Sequence, residues 1–264
     1  MADRFLTSSG SSIYFDDNGA GIPVVAIHGL GGGAYFFRGL AARLQGHCRL
    51  RALDLPGTGR STSGPRPMSA ESWVQDIGEF LERVVAEPAV ILGHSLGTIL
   101  ALKGWEAWPQ SVRALVFVGG LPEVRPLIRE RLAQRIEPVT RDGLAGWGER
   151  VSPGVFSPAT LVSQPETVGL FERLLESQDA GAYVQTMQIL LATSATALVP
   201  TVRVPSIAIT GEDDQYAPVE YVKAFVRHLP DRSSVAIIPA CGHLPFLEAP
   251  DVFAVFVRAF LDTL

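Results

Sequence analysis

One serine of the chain lies in a sequence pattern that is typical of a catalytic nucleophile. Ser95 is the centre of the pentapeptide GHSLG at 93–97, which fits the pattern G-x-S-x-G. A serine hydroxyl is a weak nucleophile at neutral pH, so it needs a neighbouring base that is itself oriented by an acid. The alternative is an ordinary loop between two glycines, with a capping serine. Covalent catalysis therefore requires a histidine and a carboxylate elsewhere in the chain.

The candidate acid lies in the segment GEDDQYAP at 211–218. This segment follows an apolar stretch at 207–209 that predicts a buried strand. Among its three carboxylates, Asp214 has the favoured spacing, three residues after a glycine and four before a proline. Asp213 and Glu212 are the alternatives.

The candidate base is His243, in the segment CGHLPFLE at 241–248. It follows another apolar stretch, 235–238, which also predicts a strand. Open α/β sheets build their sites at the carboxyl ends of the strands, so we expect His243 and Asp214 at the same edge. The alternative for this histidine is a structural role, in which its hydrogen bonds steady a loop.

A tetrahedral intermediate on a serine is stabilised by two backbone amides that converge on its oxyanion. We predict the amide of Leu96, the residue after the nucleophile, as one donor. Leu30 is predicted as the second, because it lies in the segment HGLGGG at 28–33, where glycines allow a close backbone approach. A phosphate-binding loop is the rejected alternative, since no Gly-Lys-Ser/Thr follows and the spacing is not G-x-G-x-x-G. We expect neither a metal nor an organic cofactor.

The elements that carry these motifs follow an alternating pattern. Short segments rich in valine and isoleucine alternate with helical patterns, which is typical of a parallel sheet buried on both faces. The predicted strands are 24–27, 49–53, 90–92, 114–118, 207–209 and 235–238, preceded by a hairpin of 4–7 and 12–15 that turns at Gly10. The predicted helices are 35–44, 70–85, 96–107, 219–229 and 251–264.

The alternation stops between residues 122 and 199, where no buried strand is predicted. The amphipathic pieces there are 127–135, 166–175 and 182–191, separated by Pro138, Pro153, Pro158 and Pro165. We interpret this stretch as a helical cap over the carboxyl edge of the sheet. The predicted organisation is a core in two parts, 1–121 and 200–264, with a cap at 122–199.

Composition excludes several classes of protein. A chain of 264 residues, 47% hydrophobic and 19% charged, is long enough for one sizeable α/β core. Its net charge of −5 does not favour a basic face for nucleic acid. Two cysteines, Cys48 and Cys241, provide neither a disulfide framework nor a zinc site. The first residues do not show a basic segment followed by an apolar stretch, so we expect no leader sequence, and no stretch approaches the ~18 apolar residues of a membrane span. We expect a cytoplasmic monomer or homodimer that binds no membrane.

Five ordered motifs together resemble the α/β-hydrolase superfamily. They are 28–31, 54–61, 93–97, 211–218, and the pair 242–243 followed by Glu248 and Pro250. The match extends from about residue 22 to the end of the chain. The resemblance implies a mostly parallel eight-stranded sheet with flanking helices, a helical cap after the sixth strand, and a Ser95–His243–Asp214 triad. Pro56 and Thr58 depart from the pattern, because many relatives have arginine and histidine there.

Within the superfamily, a serine at position 95 distinguishes this chain from relatives whose nucleophile is aspartate. The size of the chain and the segment 135–156 look most like 3-oxoadipate enol-lactonases and esterases. Carbon–carbon bond hydrolases of aromatic degradation also use serine. They usually carry asparagine before it and tryptophan after the histidine, where this chain has His94 and Leu244.

The resemblance implies a hydrolase that cleaves an ester or lactone of a small molecule through an acyl-enzyme. Two alternatives stay open: a carbon–carbon bond hydrolase, and a ligand sensor that keeps the triad and signals through its cap. We predict substrate contacts for Trp147, Arg135 and His94. The wider candidates are Arg141 and Arg150 for a substrate carboxylate, and Phe156 and Tyr183 for an apolar pocket. For these arginines and aromatic residues, surface pairing and simple packing are the alternatives.

Overall fold

A mostly parallel β-sheet runs through the protein and brings the ends of its parallel strands to one edge. The computed structural model describes residues 2–230 and 233–264. The strands in this part of the chain are β1 (Ala2–Leu6), β2 (Ser12–Gly19), β3 (Ile22–Ile27), β4 (Cys48–Leu53), β5 (Ala89–His94), β6 (Val112–Val118), β7 (Ser206–Gly211) and β8 (Ser233–Ile238). Each predicted strand is present, although its bounds differ.

The strand order is β1-β2-β4-β3-β5-β6-β7-β8. β2 pairs antiparallel with both β1 and β4, whereas the pairs from β4 onwards in this order are parallel. Every residue of β5 and β7 is buried, which explains why their sequences are apolar on both faces. The predicted hairpin is also present, with Gly10 in its turn at a left-handed φ of 86°. These observations confirm the predicted fold class.

Helices flank this sheet. Those of the described residues are α1 (Arg38–Arg43), α2 (Ala70–Phe80), α3 (Leu96–Ala107), α4 (Pro126–Asp142), α5 (Trp147–Val155), α6 (Pro158–Ser163), α7 (Pro165–Glu176), α8 (Ala180–Ala192), α9 (Val219–Val226), α10 (Pro245–Glu248) and α11 (Pro250–Leu261). α3 has the predicted bounds. The helices predicted at 219–229 and 251–264 both end earlier, because Leu229 and Leu264 close single i to i+3 turns instead.

Residues 122–199, called the inserted segment below, contain α4 to α8 and connect β6 with β7. α4 packs against α8, and α5 packs against α7. Pro158 and Pro165 begin helices, where the missing N–H needs no partner. Pro138 and Pro153, expected to separate the amphipathic pieces, instead lie inside α4 and α5. Around Pro138 the buried Leu132 and Val139 keep α4 packed, which stabilises the helix despite the lost hydrogen bond.

Candidate active site

Ser95 lies in a tight turn between a strand and a helix at the carboxyl edge of the sheet. Ser95 connects β5 directly to α3, with φ 53° and ψ −113°, a conformation that is strained for any residue other than glycine. A Cβ at Gly93 would lie 2.2 Å from the Gly97 carbonyl oxygen, and one at Gly97 would lie 2.3 Å from the Ile27 carbonyl oxygen. Both glycines are therefore required for the turn. Its shape matches the nucleophile elbow that the pattern predicts.

The candidate acid and base form a buried pair. The two carboxylate oxygens of Asp214 lie 2.9 and 3.1 Å from Nδ1 of His243. Asp214 Oδ1 also accepts hydrogen bonds from the amides of Tyr216 at 2.8 Å and Ala217 at 2.9 Å. Asp213 and Glu212, the alternative acids, are exposed. This geometry favours the tautomer with hydrogen on Nδ1, so Nε2 of His243 is left to accept a proton.

Two glycines after β6, which the sequence analysis did not single out, separate the nucleophile turn from the acid–base pair. A Cβ at Gly119 would lie 3.0 Å from the His243 carbonyl oxygen and 3.1 Å from Asp214 Oδ2. A Cβ at Gly120 would lie 3.2 Å from the Ser95 carbonyl oxygen. The serine and the acid–base pair thus approach the same short segment from two sides.

The described residues contain no hydrogen bond between the Ser95 hydroxyl and His243. In enzymes without bound substrate such a bond is often long, and it tightens when substrate binds. In this structure Ser95 and His243 therefore approach the same segment, residues 119–120, without a hydrogen bond between them.

The glycine-rich loop after β3 lies directly beside the nucleophile. A Cβ at Gly29 would lie 2.8 Å from Cβ of Ser95, so the loop backbone contacts this residue. Leu96 is the first residue of α3, where an amide has no partner within the helix. No hydrogen bond of the Leu30 amide is present among the described residues. The amides of Leu30 and Leu96 thus have no hydrogen-bond partner among the described residues, and their role as oxyanion donors stays a prediction.

His28 holds this glycine-rich loop in place. Its Nε2 accepts a hydrogen bond from the Leu55 amide at 3.1 Å, and its Nδ1 lies 2.8 Å from the Gly29 carbonyl oxygen. Burial lowers the pKa of His28, so the ring is neutral and can accept on one nitrogen while it donates from the other. The loop beside the nucleophile is thus attached to the turn after β4.

His94 occupies a different environment from the one predicted. It is only 2% exposed, its ring packs against Phe246 at a centroid distance of 4.9 Å, and it is absent from the lining of the cavity at Ser95. Its Nε2 lies 3.1 Å from the His243 carbonyl oxygen, to which it donates. Burial, together with the nearby His243, lowers its pKa well below the ordinary value, so the ring is neutral. The predicted substrate contact of His94 is therefore replaced by a contact with the loop of the candidate base.

Glu248 is a buried carboxylate that connects the His243 loop to the inserted segment. Its Oε2 accepts hydrogen bonds from the amides of Gly242 and Ser157 and from the Thr160 hydroxyl, each at 2.9 Å. Its Oε1 accepts from the Leu244 amide at 3.1 Å. In the sequence, Glu248 is part of the last of the five motifs, without a predicted role. A carboxylate inside an apolar stretch was the available signal, because a buried charge needs several donors.

Tyr216 is a further site residue that the sequence analysis did not assign. Its ring lies 4.8 Å from the ring of His243, between centroids, and it lines the same cavity as Ser95. Its hydroxyl accepts a hydrogen bond from Nη2 of Arg135 at 3.1 Å. Tyr216 therefore contacts the candidate base on one side and the inserted segment on the other.

The cavity at Ser95 is small, about 50 Å³. The inserted segment supplies its apolar wall through Ile128, Leu132 and Leu190. Arg135 follows Leu132 by three residues, so it lies near the same face of α4. It is half-buried, and none of the ion pairs of the described residues includes it. Among the predicted arginines it is the one that the structure brings towards the cavity.

The other predicted contact residues lie elsewhere. Trp147 is half-buried beneath the guanidinium of Arg150, 5.2 Å from its ring centroid, and is absent from the lining of the Ser95 cavity. Arg141 is exposed and pairs with Asp142. Phe156 is buried against Phe171. Tyr183 is buried on α8 and faces the glycine-rich loop, 3.3 Å from where a Cβ of Gly31 would stand. Packing accounts for Trp147 and Phe156, whereas Tyr183 also interacts through its side chain with Arg135.

No group of three or more histidine, cysteine, aspartate or glutamate side chains in the described residues could hold a metal ion. Within the same residues, no helix is both long and apolar enough to cross a membrane. The two cysteines are free and buried, and burial raises the pKa of the Cys48 thiol to about 11.

Two solved structures share this fold along almost the whole chain. An esterase from Thermogutta terrifontis superposes with a TM-score of 0.91 at 22% identity, covering 100% of this chain and 98% of that one. The enol-lactonase from Burkholderia xenovorans LB400 has a TM-score of 0.89 at 17% identity and covers 98% of this chain and 100% of that one.

Proteins related in sequence also align with most of this chain and with most of their own length. A 2-hydroxy-6-oxo-6-(2'-aminophenyl)hexa-2,4-dienoic acid hydrolase of Metapseudomonas resinovorans is 27% identical, over 98% of this chain and 91% of that protein. A pimeloyl-(acyl-carrier protein) methyl ester esterase of Aliivibrio fischeri (strain MJ11) is 25% identical, over 96% and 98%. The model of the alpha/beta hydrolase family matches residues 24–255, most of the chain. The protein belongs to the alpha/beta hydrolase family.

Proposed function

We propose that this hydrolase cleaves a carboxylic ester or lactone of a small molecule through an acyl-enzyme on Ser95. The observation that carries the proposal is the buried Asp214–His243 pair at the sheet edge where the strained Ser95 turn also lies. A family of hydrolases, with relatives named as esterase and enol-lactonase, agrees with this chemistry. Strain at a nucleophile costs folding energy, so it is retained where the chemistry needs it.

In the proposed mechanism, the Ser95 oxygen attacks the substrate carbonyl carbon while His243 Nε2 takes the hydroxyl proton. Asp214 stabilises the resulting imidazolium. The negative charge on the former carbonyl oxygen is stabilised by the amides of Leu30 and Leu96. The carbon–oxygen bond to the leaving group then breaks, and the imidazolium returns its proton to the departing alkoxide. Water, deprotonated by His243, releases the carboxylic acid and restores the Ser95 hydroxyl.

We further propose that the inserted segment acts as a cap that selects the substrate. Its side chains Ile128, Leu132 and Leu190 already form one wall of the Ser95 cavity. Arg135 is the candidate for a substrate carboxylate, because its side-chain partners there are the tyrosines Tyr216 and Tyr183 and not a carboxylate. Trp147 is not retained as a substrate contact in this proposal.

A second candidate function is hydrolysis of a carbon–carbon bond. The observation that favours it is the 27% identical relative, which is named as the hydrolase of a 2-hydroxy-6-oxo-dienoic acid. Both functions use the same serine, so substrate preference must decide between them.

The test is a substrate panel assayed with matched variants. It contains p-nitrophenyl esters, neutral and acidic lactones, and a coloured 2-hydroxy-6-oxo-dienoic acid. We expect an ester or lactone to have the highest kcat/KM, and Ser95→Ala to lower that value by at least ~10³-fold. Ser163→Ala, which removes an exposed hydroxyl on α6, is the control and should leave the value unchanged. A Ser95→Ala variant with parental turnover would refute the proposal, and a preference for the dienoic acid would select the second candidate.

A further inference from the structure

The size of the Ser95 cavity limits what it can hold. A volume of about 50 Å³ is far below the ~300–1,000 Å³ of typical small-molecule sites. It accommodates a group of acetyl size around the reacting carbonyl. If the proposed function is correct, any larger part of the substrate must extend beyond this cavity.

A larger apolar groove adjoins the cavity and shares part of its wall. The groove has a volume of about 450 Å³ and lies between residues 121–126, residues 196–200 and α9. Leu121, Glu123 and Arg125 line both the groove and the Ser95 cavity. Its apolar surface is formed by Pro122, Pro126, Val199, Pro200, Tyr221 and Phe225.

Arg125 spans the boundary between the two spaces. Its Nη1 donates to the Gln215 carbonyl oxygen at 3.3 Å, and its guanidinium lies 4.0 Å from the Tyr221 ring centroid. None of the ion pairs of the described residues fixes this side chain to a carboxylate. Its aliphatic stem can therefore line a passage while its charge stays on an aromatic face.

We propose that the groove binds an extended apolar chain of the substrate whose reacting carbonyl lies at Ser95. This inference rests on the proposed function and names its substrate class, esters or lactones with a long aliphatic tail. The three shared residues place the groove directly beside the cavity, so the occupant that we infer is part of the same molecule. The tail belongs to either the acyl or the alcohol side, and the experiment has an arm for each.

The experiment fills the groove without touching the triad. Ala224 is an exposed groove residue on α9, and its neighbour Lys223 is exposed but does not line the groove. Ala224→Trp and Lys223→Trp therefore form a matched pair. The acyl arm compares p-nitrophenyl acetate, hexanoate and decanoate, and the alcohol arm compares ethyl, hexyl and decyl acetate. Unchanged thermal unfolding verifies that both variants fold.

We expect Ala224→Trp to lower kcat/KM for the longest substrate of one arm by about 10- to 100-fold. Burial of each methylene changes affinity about threefold to fourfold, so a loss of this size corresponds to about two to four methylenes displaced from the groove. For p-nitrophenyl acetate, kcat/KM should stay within about twofold of the parent value in both variants. Lys223→Trp should leave kcat/KM unchanged for every substrate. Equal effects of the two variants on kcat/KM at all chain lengths would overturn the proposal. Residues 121–125 would then separate the groove from the Ser95 cavity.

A binding measurement separates this proposal from the proposed function. Decanoic acid and 1-decanol are titrated calorimetrically into the parent, Ala224→Trp and Lys223→Trp. Binding of either chain to the parent and to Lys223→Trp, with at least about tenfold weaker binding to Ala224→Trp, supports the groove even if no ester is hydrolysed. Absence of binding to the parent, or equal binding to all three, overturns it even if esters are hydrolysed.

Discussion

The backbone of Ser95 shows how single residues make the site possible. Its left-handed conformation costs on the order of 1–3 kcal/mol for a residue with a side chain. The Ser95 amide donates to the Val118 carbonyl oxygen at 3.0 Å. The positions of Gly93 and Gly97 have no space for a side chain. The G-x-S-x-G pattern predicted this turn correctly because its glycines meet a steric requirement that is local in sequence.

His94 shows what a local pattern cannot reveal. The sequence places it beside the nucleophile, which suggested a substrate contact. Its actual neighbours are Phe36, Phe246 and His243, two of them about 150 residues away in the chain. Since side chains alternate along β5, the fold turns the side chain of His94 into the core. We infer that it acts as a positioning residue for the loop of the candidate base.

We expect His94→Phe to lower kcat about 10- to 100-fold with KM within about threefold. Phenylalanine keeps the ring packing but loses the donor to the His243 carbonyl oxygen, and a base displaced by ~1 Å transfers protons less effectively. His94→Gln keeps a neutral N–H donor and should retain most of the activity. Steady-state kinetics of both variants check this, and a fully active His94→Phe would exclude the positioning role.

At the scale of elements, the His243 loop is attached to the inserted segment as well as to the sheet. The His243 amide donates to the Val155 carbonyl oxygen at 2.7 Å, and a Cβ at Gly242 would lie 2.5 Å from the same oxygen. Glu248 adds bonds to Ser157 and Thr160. A movement of the end of α5 would therefore move the candidate base.

Replacing Glu248 with glutamine should lower the free energy of unfolding by about 1–3 kcal/mol. The amide accepts on one oxygen only, so at least one buried donor among Gly242, Ser157 and Leu244 loses its partner. Urea unfolding measures the change. Glu82→Gln, at an exposed position, is the control and should stay within about 0.5 kcal/mol. Equal stabilities of the two variants would show that this carboxylate does not hold the elements together.

The predictability of the elements differs between the sheet and the inserted segment. Strands such as β5 and β7 were predictable because they are buried on both faces, which makes their sequences mostly apolar. α5 and α6 were missed, because Pro153 and Pro158 indicated loops when read locally. Tertiary packing outweighed that local signal, as α5 packs against α7.

At the scale of the whole molecule, the candidate site combines five loops, which follow β3, β5, β6, β7 and β8. That Ser95, Asp214 and His243 follow strands ending at one edge was predictable, since the carboxyl ends of parallel strands lie together. The size of the Ser95 cavity, the approach of Arg135 and the groove beside α9 were not, because they depend on how the inserted segment rests on the core. We therefore expect substrate preference to depend on the contacts between the inserted segment and the core.

Covalent labelling with a fluorophosphonate, followed by peptide mapping, tests the central claim most directly, because it requires an activated serine beside a competent base. We predict one adduct per chain, on the peptide that contains Ser95, no adduct in Ser95→Ala, and at least ~10²-fold slower labelling in His243→Ala. An unlabelled parent protein, or a label on another residue, would contradict the account.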